Sequence, residues 1–367
     1  MIDTYERLCT LALLKAPKLG PVMVRKLIAE LGSARAALEM SPASKERLTE
    51  LGFHRFPNLH KESLLQQAHT ELEFAARNKI KLLHFKDPKF PRQLLHCQDH
   101  PLLLYQKGRF SFEGRRCISV VGTRAATQSG IRFCRDLIEA LAPFNPVVVS
   151  GLAFGIDVAA HRAALDFGLD TVACLAHSLD KVYPSSHQNV AQRIMEQGCL
   201  LSEYGPKDYF DKPNFIARNR IIAGLSKATI VVESAFKGGS LATADLALSY
   251  HREVYAVPGR PKDPFSEGCN ALIRDQKAQL IHRPQDLIDF LGWEPISKEV
   301  EQNKIRSWLE LPQEQQILVA YLEDGARSMD ELIVETGWPV SKLSVLLFDL
   351  ELKQLVRTVQ GQQYQLI

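Results

Sequence analysis

Apolar residues recur every three or four positions between Tyr5 and about Asn78, which predicts amphipathic helices. Breaks at residues 18–21 and 30–33 place glycine where one helix ends and Pro21 or Ser33 where the next begins. We therefore expect residues 1–79 to form a small helical bundle of the SAM or helix-hairpin-helix type. The first break resembles half of a helix-hairpin-helix, whose glycine turn can present N–H groups to a phosphate. Packing within the bundle is the alternative role for this turn.

After residue 80 the pattern changes, and short apolar runs alternate with helical patterns such as residues 131–142 and 241–250. Strands buried on both faces and joined by crossover helices form a parallel, doubly wound sheet. We therefore predict a Rossmann-like α/β domain over residues 80–291, which would bind ligands beyond the carboxyl ends of its strands. The predicted strands are residues 118–121, 147–149, 171–175, 200–202, 229–232 and 254–257.

The last part of the chain predicts a third domain. Residues 292–310 are poor in aliphatic side chains and read as a linker. Helical runs followed by two short strands around Gly361 predict a winged helix over residues 311–367. A winged helix that reads DNA needs a basic last helix, yet here Lys342 and Lys353 are opposed by Asp349 and Glu351. Contact with a protein, or a spacer role, is therefore at least as well supported as DNA reading.

Composition narrows the class of protein only slightly. The chain has 367 residues, of which 46% are hydrophobic and 24% charged, and a formal net charge of +3, so any nucleic-acid site must be a local patch. Its seven cysteines form no C-x-x-C pair. We expect buried, reduced thiols, no membrane insertion and a cytoplasmic location, because the start lacks a signal-peptide pattern and no long uncharged apolar stretch occurs.

Glycine turns follow several predicted strands and lead directly into helices. Helix N-termini expose N–H groups and the positive end of the helix dipole, so such turns can bind phosphates. The alternative is that glycine is needed only for the backbone conformation of the turn. Several turns on one sheet edge favour an extended anionic ligand. The candidate DNA-binding residues in these turns are Gly122, Thr123, Arg124, Ser150, Gly151, Ala153, Gly155, Gly238, Gly239, Ser240 and Thr243.

A mixed cationic and aromatic run precedes the apolar stretch 221–225. Its candidate DNA-binding residues are Lys212, Phe215, Arg218, Asn219 and Arg220. Cations can follow the backbone of a single strand while a phenylalanine ring stacks on any base. The alternative is a solvated helix start whose phenylalanine faces the core.

Catalytic chemistry has little support in the sequence. The chain has neither a G-x-x-x-x-G-K-[ST] loop nor a G-x-G-x-x-G motif, which disfavours ATP hydrolysis and ordinary dinucleotide binding. Asp157 and His161 have the i, i+4 spacing of an acid–base pair, but no nucleophile or metal-ligand set accompanies them. Capping of the helix is the favoured role of Asp157. We expect no catalytic residue, no metal and no cofactor.

These segments occur in the order found in the DprA/Smf family of bacterial DNA-processing proteins, and the resemblance covers roughly residues 102–281. The residues that carry it are Gly122-Thr123-Arg124, Ser150-Gly151, Ile156-Asp157, the run from Arg218 to Gly224, Glu233, Gly239-Ser240 with Thr243, Pro258-Gly259 and Gly268-Cys269-Asn270. The three-part layout also resembles the fuller members of that family.

The resemblance implies a non-enzymatic protein that binds and protects incoming single-stranded DNA and helps load the RecA recombinase during natural transformation and recombination. It further implies a homodimer formed through the Rossmann-like domain. Arg124 and the glycine turns resemble the family's phosphate pocket. Lys212 and Phe215 resemble the positions that neutralise the backbone and stack a base. Arg218 and Arg220 would border the pocket or pin neighbouring loops.

The sequence departs from the family pattern at two places, and two other functions stay open. The run Lys237-Gly238-Gly239-Ser240 has glycine where many relatives have serine. Residues 275–278 replace a glycine-alanine pair, which leaves the helix-to-strand geometry near Gln279 open. A nucleotide-binding or nucleotide-hydrolysing enzyme of a related Rossmann-like group is the first alternative. Such enzymes carry a Pro-Gly-Gly-x-Gly-Thr run and a glutamate that residues 238–245 lack. An adaptor that recruits partners through its terminal domains is the second.

Overall fold

The computed structural model describes residues 3–41, 44, 49, 60–206, 208, 211–295, 311–323, 325–353, 355–359 and 363–366. Contacts divide the chain into two compact units, Met1–Glu294 and Pro295–Ile367. The predicted linker 292–310 lies largely outside the described residues, as does Gly361 between the last two strands.

In the described residues before residue 81, the N-terminal part of the first unit contains four helices. They are α1 (Thr4–Lys15), α2 (Pro21–Leu31), α3 (Ala34–Leu38) and α4 (Lys61–Arg77). The predicted breaks explain their bounds. Proline opens α2 directly after Gly20, Gly32 ends α2 at φ +83°, and the Ser33 hydroxyl caps α3 by accepting from the Ala36 N–H. Their apolar faces form one core that also includes Leu102 and Leu103 of the following domain.

Nine strands form the sheet of the first unit, in the order β1-β2-β6-β5-β4-β3-β7-β8-β9. Strands β3 to β9 pair in parallel, whereas β1 pairs with β2 and β2 with β6 antiparallel. The six predicted strands are confirmed, each to within one residue at either end. The strands are β1 (Lys81–His84), β2 (Leu103–Lys107), β3 (Cys117–Val121), β4 (Val147–Ser150), β5 (Thr171–Leu175), β6 (Cys199–Ser202), β7 (Ala228–Val231), β8 (Glu253–Ala256) and β9 (Gln279–Leu280).

Helices cover both faces of this sheet, so the predicted doubly wound architecture is confirmed. Ile221, Ala244 and Leu272 pack on one face, and Leu137 and Leu287 pack on the other. Strand β3 lies between β4 and β7, which makes its carboxyl end the point where the strand order reverses. The helices are α5 (Arg92–Leu95), α6 (Gln128–Leu141), α7 (Ile156–Asp166), α8 (Gln188–Gln197), α9 (Lys212–Leu225), α10 (Gly239–Ser249), α11 (Glu267–Arg274) and α12 (Pro284–Leu291).

The second unit has the predicted winged-helix elements. Its three strands form a separate sheet in the order β10-β12-β11. The last helix leaves Val345, Phe348 and Leu352 between 63% and 68% exposed, an apolar face unlike that of a helix that reads DNA. The elements are α13 (Gln313–Glu323), β10 (Arg327–Ser328), α14 (Met329–Thr336), α15 (Val340–Leu352), β11 (Val356–Val359) and β12 (Gln363–Leu366).

All seven cysteines are free and buried, as predicted. Burial raises the pKa of Cys117, Cys134 and Cys174 to about 12, so these thiols stay protonated near neutral pH. Within the described part of the chain, no helix combines the length and the apolar character needed to cross a bilayer.

The segment 275–278, which follows α11 and departs from the family pattern, contains a strained residue. Gln276 has φ +55°, a left-handed conformation that costs most residues roughly 1–2 kcal/mol. The Lys277 N–H donates to the Leu272 carbonyl oxygen at 2.8 Å, and the chain then enters β9 in register with β8. Residues 275–278 therefore lead from α11 into β9 without a glycine.

Replacing Gln276 with glycine is expected to stabilise the protein. Relief of the left-handed strain exceeds the extra backbone entropy of glycine in the unfolded chain, which leaves a net gain of up to about 1 kcal/mol. A higher urea midpoint with an unchanged slope would show this gain. Gln285→Gly in α12 is the contrasting control, because glycine inside a helix should lower the midpoint. A lower midpoint for Gln276→Gly would contradict the strain argument.

Candidate nucleic-acid interface

An open pocket of about 380 Å³ lies where the strand order reverses, beyond the carboxyl ends of β3, β4 and β7. Eleven of the sixteen candidate residues line this pocket, and one of them, Arg218, is buried. The eleven are Gly122, Thr123, Arg124, Ala153, Phe215, Arg218, Asn219, Gly238, Gly239, Ser240 and Thr243. Ser150, Gly151, Gly155, Lys212 and Arg220 do not line it.

Two glycines let the loops after β3 and β4 touch through their main chains. Gly155 has φ +76°, and a Cβ atom there would lie 2.1 Å from the Thr123 carbonyl oxygen. A Cβ atom at Gly122 would lie 2.5 Å from the Ile156 side chain. The Ile156 N–H donates to the Thr123 carbonyl at 3.2 Å. Backbone therefore forms this side of the pocket, and both glycines are required by close packing.

The N-terminus of α6 is already occupied by an internal carboxylate. The Glu233 side chain, which follows β7, accepts from the Thr127 N–H at 2.9 Å and from the Thr127 hydroxyl. A Cβ atom at Gly130 would lie 2.4 Å from the same carboxyl group. The expectation that the turn after β3 offers free helix N–H groups to a phosphate is therefore corrected, because Glu233 neutralises that helix end.

The N-terminus of α7 is likewise satisfied from within. Asp157 is buried, and its carboxyl group accepts from the backbone N–H groups of Gly151 and Ala153. The neighbouring Ser150 hydroxyl donates to the Val120 carbonyl at 2.7 Å. Burial raises the pKa of Asp157, and the nearby Arg218 charge opposes this rise. These hydrogen bonds join Asp157 to the loop before α7, and the N-cap residue Gly155 has no side-chain hydrogen bond, so the expected capping role of Asp157 is corrected to one of holding this loop.

The N-terminus of α10 differs from those of α6 and α7. Gly238 provides no side-chain cap and the first turn contains no acidic residue, while a Cβ atom at Gly239 would have no atom within 4 Å. Ser240 is held by a hydrogen bond from its hydroxyl to Ser234 Oγ at 2.8 Å. Among these three helix starts, that of α10 is the one left open to an external anion.

A cation and an aromatic ring face each other across the pocket. The guanidinium carbon of the exposed Arg124 lies 5.4 Å from the centroid of the half-buried Phe215 ring, within cation–π range. The Tyr183 ring meets Phe215 edge-on at 6.0 Å. Lys212 is exposed in the first turn of α9, three residues before Phe215. The site thus combines fixed positive charge with aromatic surface.

Arg218 is a buried structural residue in this fold. It is 4% exposed, and its guanidinium donates to the carbonyl oxygens of Gly151, at 2.8 Å, and Cys174. A Cβ atom at Gly151 would lie 2.3 Å from the same group. Arg218 therefore ties the ends of β4 and β5 together, which is the loop-pinning alternative noted from the sequence.

Arg220 and Asn219 hold other parts of the fold together. Arg220 pairs with Glu203 and donates to the Asp99 carbonyl, so it lines a different cavity, of about 510 Å³. The Asn219 amide donates to the Gly239 carbonyl at 3.4 Å, which links α9 to the first turn of α10. The placement of Arg220 does not bring it to the candidate pocket.

No acid–base pair is accessible at Asp157 and His161. His161 is fully buried, its Nδ1 lies 2.7 Å from Thr171 Oγ1, and burial lowers its pKa to about 3. Within the described residues, no group of three or more His, Cys, Asp or Glu side chains is arranged to hold a metal ion.

Sequence reasoning missed two aromatic residues near the site. Phe154 and Tyr183 are each 49% exposed and follow β4 and β5. Both lie beyond the carboxyl ends of neighbouring parallel strands, and that topological rule is the signal that could have identified them.

Three family models match successive parts of the chain. The model described as DNA recombination-mediator protein A matches residues 81–292. A DprA-like N-terminal HHH domain matches residues 4–56, and a DprA winged helix domain matches residues 306–362. The matches follow the order of the three predicted domains.

Individual relatives agree with these matches. Protein Smf of Escherichia coli is 36% identical over 287 residues, which are 74% of each chain. The solved structure of DNA processing protein A from Streptococcus pneumoniae superposes with a TM-score of 0.64 at 30% identity and covers 80% of this chain and 99% of that one. The Helicobacter pylori protein, whose structure concerns its single-stranded DNA binding mode, superposes with a TM-score of 0.53 at 30% identity, over 59% of this chain and 98% of that one. The chain therefore belongs to the DNA recombination-mediator protein A family, also called DprA or Smf.

Proposed function

We propose that this protein binds single-stranded DNA, without strong sequence preference, in the pocket beyond the carboxyl ends of β3, β4 and β7. One observation carries the proposal: exposed Arg124 lies over Phe215 in the same pocket as the uncapped N-terminus of α10. A phosphate fits the open amides and the guanidinium, and the ring can stack a base. The donors are backbone groups and a cation rather than a pattern that matches one base edge, so affinity should vary little with sequence.

A titration of the purified chain with single-stranded and duplex oligonucleotides at several salt concentrations tests this proposal. We expect preference for the single strand and a linear fall of log affinity with log salt, with a slope of about −0.7 for each phosphate contacted. Equal affinity for duplex and single strand, or binding that is insensitive to salt, would contradict it.

We infer that the protein does not catalyse a reaction on the DNA. Of the charged groups lining the pocket, Asp157 and Arg218 are buried and engaged with backbone groups, and Arg124 is a permanent cation. The nucleotide-hydrolysing alternative needs an exposed general acid or base there. Release of free base from nucleotides by purified protein would reverse this inference.

Phe215→Ala is expected to weaken binding of single-stranded DNA by about 1–3 kcal/mol, because a stacking surface for one base is lost. Fluorescence anisotropy measures the loss, and Phe215→Trp should restore affinity. The ring is half-buried, so the urea midpoint of each variant is the necessary control. If Phe215→Ala lowered the midpoint yet left the affinity of the folded protein intact, the ring would be a core residue only.

We further propose the assembly and cellular role implied by the family resemblance. The chain would form a homodimer through its Rossmann-like domain, protect incoming single strands, and help load RecA recombinase during transformation and recombination. In this proposal residues 1–79 and 80–291 are two domains packed into one compact unit, and the linker 292–310 joins them to a third domain, residues 311–367. Seven buried, reduced cysteines fit work in the reducing cytoplasm. Co-sedimentation of the DNA-bound protein with RecA tests the loading role.

A further inference from the structure

The loop that follows β8 lies directly against the loop that follows β7. The Ser234 N–H donates to the Phe265 carbonyl at 2.7 Å, and the Gly268 N–H donates to the Ser234 carbonyl at 2.8 Å. A Cβ atom at Gly268 would lie 2.5 Å from the Ala235 carbonyl oxygen, so only glycine permits this approach. The two loops therefore form one continuous surface next to Gly238 and the pocket.

This surface exposes an aromatic ring and three cations. Phe236 is 57% exposed, and the exposed cations are Lys237 in the same loop and Arg260 and Lys262 in the loop after β8. Among the residues that the structure describes, none of the three cations forms an ion pair, and no aromatic ring packs on Phe236.

The carboxylates of the same surface are fewer than its cations. Asp263 Oδ1 accepts from the Phe265 N–H at 3.0 Å, and Glu267 is exposed at the start of α11. With three cations and two carboxylates, these side chains carry a small net positive charge. Gly259, at the base of the β8 loop, is fixed by two hydrogen bonds with the Asn270 side chain, each of 3.1 Å.

An exposed phenylalanine beside unpaired cations has the chemistry of a nucleotide contact. A phenylalanine ring that is exposed to water lacks the stabilisation that burial gives most phenylalanines. A base can stack on such a ring while Lys and Arg side chains contact the flanking phosphates. Phe236 and Lys237 immediately precede Gly238, which lines the pocket. A strand that leaves the pocket past α10 would meet this surface next.

We propose that Phe236, Lys237, Arg260 and Lys262 form a second nucleotide-binding subsite, which extends the path of a single strand from the pocket across the β7 and β8 loops. The proposal rests on the proposed binding of single-stranded DNA at the pocket. Phe236 stacks one base, and the three cations neutralise the phosphates on either side of it. Long strands therefore use both sites, whereas short strands fill the pocket alone.

Two lengths of oligothymidylate separate these contributions. With an oligomer of about 16 nucleotides, Phe236→Ala should lower affinity by roughly 5- to 100-fold, and with one of about 4 nucleotides it should leave affinity unchanged. Phe290→Ala is the matched control, because Phe290 is 54% exposed on α12 and packs on Tyr255 rather than on a loop of this surface. Combined replacement of Lys237, Arg260 and Lys262 by alanine should reduce the salt slope for the long oligomer by about 2.

A direct readout of stacking is the fluorescence of a Phe236→Trp variant. Its emission should be quenched by the long oligomer and unaffected by the short one, and its affinity should match that of the unmodified chain. Equal affinities of Phe236→Ala, Phe290→Ala and the unmodified chain for the long oligomer would overturn the subsite. The same holds if Phe236→Ala changed only the sedimentation of the free protein, which would assign the ring to a protein interface. Failure of the unmodified chain to bind either oligomer would instead overturn the proposed function itself.

Discussion

Arg218→Ala is expected to lower the free energy of unfolding by about 3–5 kcal/mol, the loss typical when one member of a buried charge arrangement is removed. The truncation leaves the carbonyl oxygens of Gly151 and Cys174 without their donor. It also removes the opposite charge that most lowers the pKa of buried Asp157. Urea unfolding followed by circular dichroism measures the change.

Two further variants keep this prediction testable even if Arg218→Ala does not fold. Arg218→Lys keeps the charge but cannot reach both carbonyls with a planar fork, so it should lose less stability than alanine. Arg124→Ala is the control for loss of a guanidinium. Because Arg124 is exposed, its replacement should change the free energy of unfolding by no more than about 0.5 kcal/mol. If Arg218→Ala kept wild-type stability and lost only DNA affinity, Arg218 would be a DNA ligand after all.

The double variant Arg124→Ala/Lys212→Ala is expected to bind single-stranded DNA about 100-fold more weakly at low salt, as two charge-assisted phosphate contacts of roughly 1.5 kcal/mol each are lost. Its salt slope should be smaller by about 1.4, because each contact with a single strand releases about 0.7 of a counterion. The loss should be the same for all sequences. Anisotropy titrations at four or more salt concentrations give both quantities.

The matched control is Arg116→Ala/Lys227→Ala. It removes the same charge at the amino ends of β3 and β7, whereas the pocket lies at their carboxyl ends. Arg116 precedes β3 and lies 5.5 Å from the Trp293 ring centroid, much as Arg124 follows β3 and lies over Phe215. Lys227 precedes β7, and its N–H donates to the Cys117 carbonyl at 2.9 Å. Equal loss of affinity in the two double variants would mean that net charge, rather than the pocket, governs binding.

The sheet could be predicted well where its strands are buried on both faces, because runs such as 147–149 and 171–175 are continuously apolar. The two antiparallel strands β1 and β2, at one side of the sheet, escaped prediction for a physical reason. Lys81 and Gln106 interrupt their apolar pattern, prolines surround them, and they gain strand structure by pairing with each other and with β6. That pairing joins distant segments and leaves no local signal.

The location of the candidate site followed from the glycine turns, but the roles of its cations did not. Arg124, Arg218 and Arg220 look equivalent in the sequence, and their difference arises from partners far along the chain. Arg218 meets the carbonyls of Gly151 and Cys174, which lie 67 and 44 residues away. Glu233 caps α6 across 106 residues. Such tertiary partners determine whether a polar side chain is exposed to solvent or forms its hydrogen bonds inside the protein.

The burial of every native cysteine makes the chain a convenient host for a chemical probe. Because all seven thiols are shielded from solvent, a maleimide should react with a single cysteine placed at an exposed position such as Ala125 and spare the others. A fluorophore installed there would sit beside Arg124 and report the arrival of a strand in real time, with no native cysteine removed first.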